Sequence, residues 1–320
     1  MKTNKLIKTC YLILFLLYAM AIGAGFFAPY AYDEQNREHP YQPPNILRFD
    51  LSKQKFYFYP LVLKDKALKK YEPDKTKKII LGSNSDEKFF LLGTDMHGRD
   101  IFSRLIRASR ISLSIGLIGV SITFIIGMFI GGLSGYFGGK TDNIIMRLCE
   151  IIMCFPFFYL MLALRALLPI TLSSYHVYIC IIVIMSLIGW PAFARVIRGM
   201  VLSIKNMDYI SSAKVLGVGH IRIICRHILP NTFSYAIVAA FLNIPSYIIG
   251  EAGLSFIGLG IQDPDPSWGN MLACAMNVRV LTSFPWVLAP GVMIFITVIC
   301  FYLIGDHLRD RVDPKHKYMR

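Results

Sequence analysis

"ISLSIGLIGVSITFIIGMFIGGL", residues 111–133, is a run of 23 residues without one charged side chain. A helix needs about 20 consecutive apolar residues to cross the roughly 30 Å hydrocarbon layer of a bilayer. A helix on the surface of a soluble core keeps one charged face, and this stretch offers none. It reads as a membrane span. Similar stretches recur at residues 10–28, 144–168, 177–194, 234–259 and 286–305, so six spans are predicted, with both termini on one side. With 320 residues, 55% hydrophobic content and a mean hydropathy of +0.51, the chain is too apolar for a single soluble core. The fold class expected is an all-α polytopic membrane protein.

Charge sets the orientation. The net charge of +14 could point to a nucleic-acid partner, but basic residues flanking spans produce the same excess, and no nucleic-acid partner is expected. Lys2, Lys5 and Lys8 precede the first span; Lys140 and Arg147 lie between spans two and three. Arg195, Arg198, Lys205, Lys214, Arg222 and Arg226 lie between four and five, and Arg309, Arg311, Lys315, Lys317 and Arg320 close the chain. The connection after span three has no Lys or Arg, and the one after span five has only Arg279. Both termini are therefore expected to be cytoplasmic. The first stretch also has the look of a cleaved leader, with small residues in "AIGAG", but its uncharged run reaches Pro29 and favours an uncleaved anchor.

Four segments follow: an N-tail and anchor at 1–28, an external segment at 29–110, a transmembrane core at 111–305 with a cytoplasmic loop at 199–233, and a cytoplasmic tail at 306–320. The external segment holds Pro40, Pro43, Pro44, Pro60 and Pro73 and short aromatic pieces such as "KFYFYPLVL", from which a strand or two are expected. Arg99, Arg104, Arg107 and Arg110 stand at helical spacing on the outer side, against the charge rule. An amphipathic helix lying at the outer interface would accommodate them.

No catalytic site is expected. "SGYFGGKTD" has Ser134 where a phosphate-binding loop needs its first Gly, and it follows a span instead of a strand. There is no HExxH or GxSxG, and the seven cysteines show no CxxC pair, so neither a metal site nor a disulfide framework is implied. Gly127, Gly131 and Gly135 recur at every fourth residue, a spacing that lets another helix approach closely. Ionisable groups within the spans are costly and so mark functional candidates: Glu150, Arg165 and, deepest, Glu251 in "IIGEAGLSFIGLG". Glu251 serves either in a pathway or gate, or as a structural hydrogen-bond partner of a neighbouring helix.

The cytoplasmic loop carries "YISSAKVLGVGHIRIICRHILPN", residues 209–231. A helix is predicted from Asp208 as N-cap to Gly217 as stop, with Ile210, Ala213 and Leu216, or Val215 and Leu216, on one face. Ser211, Ser212 and Ala213 make a small-residue patch suited to close approach. A second piece, "HIRIICRHI", follows, and Pro230 with Asn231 marks the entry into span five. A short helix between Gly punctuation and a span is a docking element.

This segment resembles the EAA loop of bacterial ABC importer permeases: Ser211, Ser212 and Ala213 stand at the Glu-Ala-Ala triplet, Gly217 at its Gly, and Leu229 and Pro230 at its Leu-Pro ending. Ser211 and Ser212 replace Glu and Ala, and His227 takes an Ile place. "GTDMHGRDIFSRLIRASRISLSIG", residues 93–116, and "EAGLSFIGLGIQDPDPSWGNML", residues 251–272, look like motifs of the C-type subunit of oligopeptide, dipeptide and nickel importers. The resemblance implies a type I ABC importer permease fold in a bacterial cytoplasmic (inner) membrane, embedded in lipid. The partners implied are a second six-span permease subunit, two ABC ATPases that carry ATP and Mg, and an extracytoplasmic solute-binding protein; this chain would bind no cofactor. The implied coupling residues are Ser211, Ser212, Ala213, Leu216, Gly217, Leu229 and Pro230, and the pathway or gate candidates are Glu251, Ser255 and Trp268. The cargo implied is di- or oligopeptide, with nickel or another small solute as alternative. An ion-coupled secondary transporter using Glu251 is a different class, and the chain lacks the internal repeat such proteins often show.

Overall fold

The computed structural model describes residues 2–50, 54–80, 87–169 and 171–312. The last part of the expected tail, with Lys315, Lys317 and Arg320, lies outside the described residues. Helices α1 (Lys2–Ile22) and α2 (Ala24–Phe27) lead into short strands β1 (Arg48–Asp50), β2 (Lys55–Phe58), β3 (Leu61–Asp65), β4 (Lys70–Pro73) and β5 (Ile79–Ile80). Then come α3 (Ile101–Phe137), α4 (Gly139–Met153), α5 (Phe157–Ala166), α6 (Ser174–Ile204), α7 (Asp208–Val215), α8 (His220–Ile223) and α9 (Leu229–Phe256). The chain closes with α10 (Trp268–Leu272), α11 (Val278–Ser283) and α12 (Ala289–Val312).

Among the described residues, five helical stretches are long and apolar enough to cross a membrane, and α4 with α5 makes a sixth if the bent pair counts as one. The third span is thus not the straight helix that 144–168 suggests: it bends by 84° between α4 and α5. Pro156 explains the break. It precedes α5 with extended backbone (ψ 129°), and the residue before a proline is disfavoured in helix. The second span is longer than expected, because α3 begins at Ile101 and runs without interruption through 111–133.

The chain divides into two compact units. In the first (Met1–Phe15, Leu113–Leu254 and Ile296–Arg320), α3 packs on α6 through its glycines. A Cβ placed on Gly131 would lie 2.4 Å from the Ala194 carbonyl oxygen, one on Gly135 would lie 2.9 Å from the Arg198 carbonyl oxygen, and one on Gly127 would lie 2.7 Å from Phe193. Bare backbone on one helix lets the backbone of the other come in. Ser134 and Arg198 both bond Asp142, at 2.5 Å each, tying the ends of α3, α4 and α6 together.

The second unit (Leu16–Ser112 and Ser255–Phe295) holds the strands. The external segment has more strand than expected: β1–β2–β5 form one antiparallel sheet and β3–β4 a second ladder. Phe49 faces Phe56 across β1 and β2 with ring centroids 5.1 Å apart. Of the four arginines, Arg104, Arg107 and Arg110 stand on the first turns of α3 and Arg99 just before it, and two of them are drawn into ion pairs. Arg99 donates to Asp95 at 2.6 Å and to Asp263 at 2.9 Å, and Arg104 donates to Asp263 at 2.9 Å. Both guanidinium groups are buried, and their charge is met by the carboxylates of the partly buried Asp95 and the half-exposed Asp263. Burial opposes ionisation of Asp263, but the hydrogen bonds and charge of Arg99 and Arg104 outweigh it and hold its carboxyl below the usual range.

Candidate functional site

The cytoplasmic segment folds as α7, a tight reversal at Gly217, α8, and a π-helical turn over Ile224–Ile228 that runs directly into α9. Gly217 adopts φ +75°, a left-handed conformation that costs other residues. Around it, Val218 N–H bonds the Ala213 carbonyl at 3.1 Å and Gly217 N–H bonds the Lys214 carbonyl at 3.0 Å, the paired bonds that close a helix on a left-handed glycine. The N-terminus differs from expectation: Met207 is the cap, with no side-chain cap bond, and Asp208 is the first helical residue. There its charge still favours the helix dipole.

Packing sorts the segment into two faces. Ile210 and Ala213 are buried with Ile223, Ile224, Ile228, Ile197 and Val201 in one apolar cluster. Leu216, expected beside them, is instead 81% exposed, because it caps α7 and the chain turns there. Val215 is 88% exposed. Ser211 and Ser212 are exposed on the same element, and Tyr209 and Ile221 add exposed apolar surface. Of the triplet, therefore, two serines face outward and Ala213 is core. Leu229 is half-buried against the cluster, and Pro230 is exposed. Pro230 does not mark a boundary between loop and span, since the helix is continuous from the π turn. A π turn moves carbonyls off the i−4 pattern just where proline lacks its donor.

The segment is braced from α3 and α6. Tyr136 shares a 2.8 Å hydrogen bond with His220 Nδ1, and Lys214 Nζ lies 5.4 Å above the Tyr136 ring. Lys205 Nζ donates to the Gly135 carbonyl at 2.9 Å, and Asn231 donates to the Tyr209 hydroxyl at 3.0 Å.

A cavity of about 630 Å³ lies in the same unit, between α3, the α4–α5 bend, α6 and α9. Its wall is aromatic and aliphatic, with Thr123, Asn243, Ser246 and Tyr247 as polar groups and no charged side chain. Tyr247 bonds Thr123 Oγ1 at 2.5 Å and the Met185 carbonyl at 3.0 Å. None of the gate candidates is part of this wall. Glu251 is fully buried and partnered one helical turn further along α9. In the second unit Ser255 is buried and accepts from Ile261 N–H at 3.0 Å. Trp268 is 0% exposed; its backbone N–H meets Ser112 Oγ at 3.2 Å and its indole N–H meets the Leu105 carbonyl at 3.3 Å. Both Ser255 and Trp268 hold the 255–272 connection in place. Glu150 is exposed and pairs with Arg147 at 2.8 Å, while Arg165 is buried. The cavity wall and Tyr136 are what sequence reasoning missed. The exposed apolar pair at 215–216 was visible as a pair, but its outward turn was not.

Membrane-length helices, an uncharged cavity and a braced, exposed helix–Gly–helix element fit a transport subunit. Residues 124–318 match the family described as "Binding-protein-dependent transport system inner membrane component", and residues 1–44 match the "N-terminal TM domain of oligopeptide transport permease C". The chain belongs to this family of bacterial inner-membrane ABC permease subunits. It is 40% identical to the oligopeptide transport system permease protein OppC of Haemophilus influenzae over 72% of either chain. It is 33% identical to the dipeptide transport system permease protein DppC of Bacillus subtilis over 98% of this chain and 83% of that one. A match at 41% identity to the glutathione transport system permease protein GsiD of Escherichia coli covers 70% of this chain and 72% of the relative. Among solved structures, an inward-facing form of the MetNI methionine ABC transporter superposes with a TM-score of 0.51 at 18% identity, over 67% of this chain and 98% of that one. That likeness supports the type I permease fold.

Proposed function

We propose that this chain is one half of the pore of an ATP-driven importer of di- or oligopeptides, docking an ATPase through residues 208–231. The exposed Val215–Leu216 tip on a braced element carries this reading: large apolar groups held out to solvent by a rigid turn are a surface made for a partner. The names of the relatives support the cargo, since oligopeptide, dipeptide and glutathione are all peptides or peptide-like. An uncharged cavity wall suits a cargo whose side chains vary in charge. The partners are a second six-span permease, two ATPases that bind ATP and Mg, and an extracytoplasmic solute-binding protein. Both termini and the docking element lie in the cytoplasm, as the Lys and Arg bias directs.

Mechanism follows from linkage. ATP binding draws the ATPases together, the docked element moves with them, and the helices around the cavity open toward the delivered peptide; hydrolysis resets the inward-facing state. This chain supplies no chemical step. The test is uptake of a labelled dipeptide into proteoliposomes holding both permeases and both ATPases, with the binding protein outside. Uptake that needs ATP and the binding protein is expected; uptake driven by an ion gradient without ATP overturns the reading.

A further inference from the structure

The C-terminal end of α3 touches both arms of the 208–231 segment at one residue. Tyr136 is 9% exposed. Its hydroxyl bonds His220 Nδ1 at 2.8 Å, at the start of α8, and its ring lies 5.4 Å below Lys214 Nζ, near the end of α7. The Gly217 reversal falls between those two partners, so a single side chain spans the turn that presents Val215 and Leu216. Phe137 adds a second ring contact to His220, with centroids 5.9 Å apart. Tyr136 also belongs to the apolar cluster that buries Ile210, Ala213, Ile223 and Ile224.

The same helix reaches the cavity. Val120, Thr123 and Phe124 of α3 are part of its wall, and Thr123 bonds Tyr247 of α9 at 2.5 Å. From Thr123 to Tyr136 is thirteen residues of unbroken helix, about 20 Å at 1.5 Å per residue. Gly127, Gly131 and Gly135 seat that length on α6. Close packing of this kind moves as a body more readily than it deforms.

We propose that Tyr136 is a positioning residue that converts displacement of the docking tip into displacement of the cavity-lining turn of α3. The proposal rests on the reading of 208–231 as the ATPase-docking element. Through the hydroxyl–imidazole bond and the cation over the ring, the two arms grip α3 as one body, and α3 carries the motion to Thr123. Losing the bond lets the tip move without the helix. ATP is then hydrolysed with less peptide moved.

The experiment uses the assembled four-subunit transporter in proteoliposomes with its binding protein, reading ATP hydrolysis and dipeptide uptake in the same vesicles. Tyr136→Phe keeps the ring and its packing and removes the hydroxyl. It is expected to co-purify with the ATPases and to lower uptake per ATP hydrolysed roughly three- to ten-fold, the factor that loss of one hydrogen bond supplies. His220→Ala is expected to give a similar drop, the double variant no more than either single one, and His220→Gln, which restores a polar partner, most of the wild-type ratio. A ratio within wild-type error for both single variants overturns the proposal, as does an additive double variant. Loss of co-purification on Tyr136→Phe also overturns it, by making the residue part of the docking fold. Failure of the docking reading itself is separate: it shows as Val215→Asp with Leu216→Asp leaving ATPase co-purification intact.

Discussion

Replacing Val215 and Leu216 together by Ala tests the docking surface most directly. The two side chains are 88% and 81% exposed, so almost their whole apolar surface is available to a partner. Together the two changes delete five carbons, worth about 0.8 kcal/mol each when fully buried, or about 4 kcal/mol in all. A groove that covers only half of that surface gives about 2 kcal/mol. The dissociation constant of the ATPase for the permease pair is therefore expected to rise between roughly 30-fold and 1,000-fold. Because neither side chain belongs to the apolar cluster, the thermal midpoint of the permease itself is expected to stay put. Replacing Ser211 and Ser212 by Ala is the companion measurement, expected to weaken binding by less than about three-fold if shape at the tip outweighs the triplet. Titration of purified ATPase against immobilised permease heterodimer reads both affinities, and thermal melting of the heterodimer reads the midpoint. An affinity for the Val215→Ala, Leu216→Ala variant within three-fold of wild type refutes the assignment of the tip; a lowered midpoint refutes the claim that the tip is free of the fold.

Three further outcomes bear on the rest of the structure. Gly217→Val forces a β-branched residue to φ +75° with no steric neighbour, so only the backbone suffers; a loss of roughly 1–2 kcal/mol in local stability and lower uptake per ATP are expected, while unchanged hydrogen exchange over 208–231 speaks against the turn. Gly131→Ala is expected to unfold roughly 1–3 kcal/mol more easily than Gly199→Ala, since its methyl meets the Ala194 backbone at 2.4 Å whereas Gly199 has open space; equal midpoints refute the α3–α6 contact. Acidification probes the Arg99–Asp263 network. A carboxyl held below its ordinary range contributes stability that is present above the unfolded value near 4 and is lost as pH falls from there through the lowered value, so wild type is expected to lose more stability than Asp263→Asn as pH falls below about 4. Parallel profiles for the two refute the pairing.

The docking element shows how far a pattern carries. Helical spacing put Ile210, Ala213 and Leu216 on one face, and two of the three are core. Leu216 left that face because Gly217 turns the chain immediately after it, so the periodicity ended one residue before the spacing rule did. Asp208 looked like a cap on residue type alone, yet the turn after Ile204 delivers Met207 to that place. The break at Pro156 was written in the sequence as "CFPFF", but an apolar run hides a bend, since hydropathy counts residues without regard to direction.

By itself the sequence determined that the chain spans a membrane, roughly where it does so, and where the docking helix ends. These follow from local causes: the cost of charge in hydrocarbon, and the freedom of glycine at positive φ. The pairing of Arg99 and Arg104 with Asp263, the seating of Trp268 on Leu105 and Ser112, and the grip of Tyr136 on His220 were decided only by tertiary structure. Each joins groups 84 to 164 residues apart in the chain, and no local preference reports which distant partner will arrive. The arginines illustrate the difference: from the sequence they were four charges on the wrong side of a membrane, and in the fold Arg99 and Arg104 share Asp263, a carboxylate that the returning chain brings to meet them, beside the local Asp95.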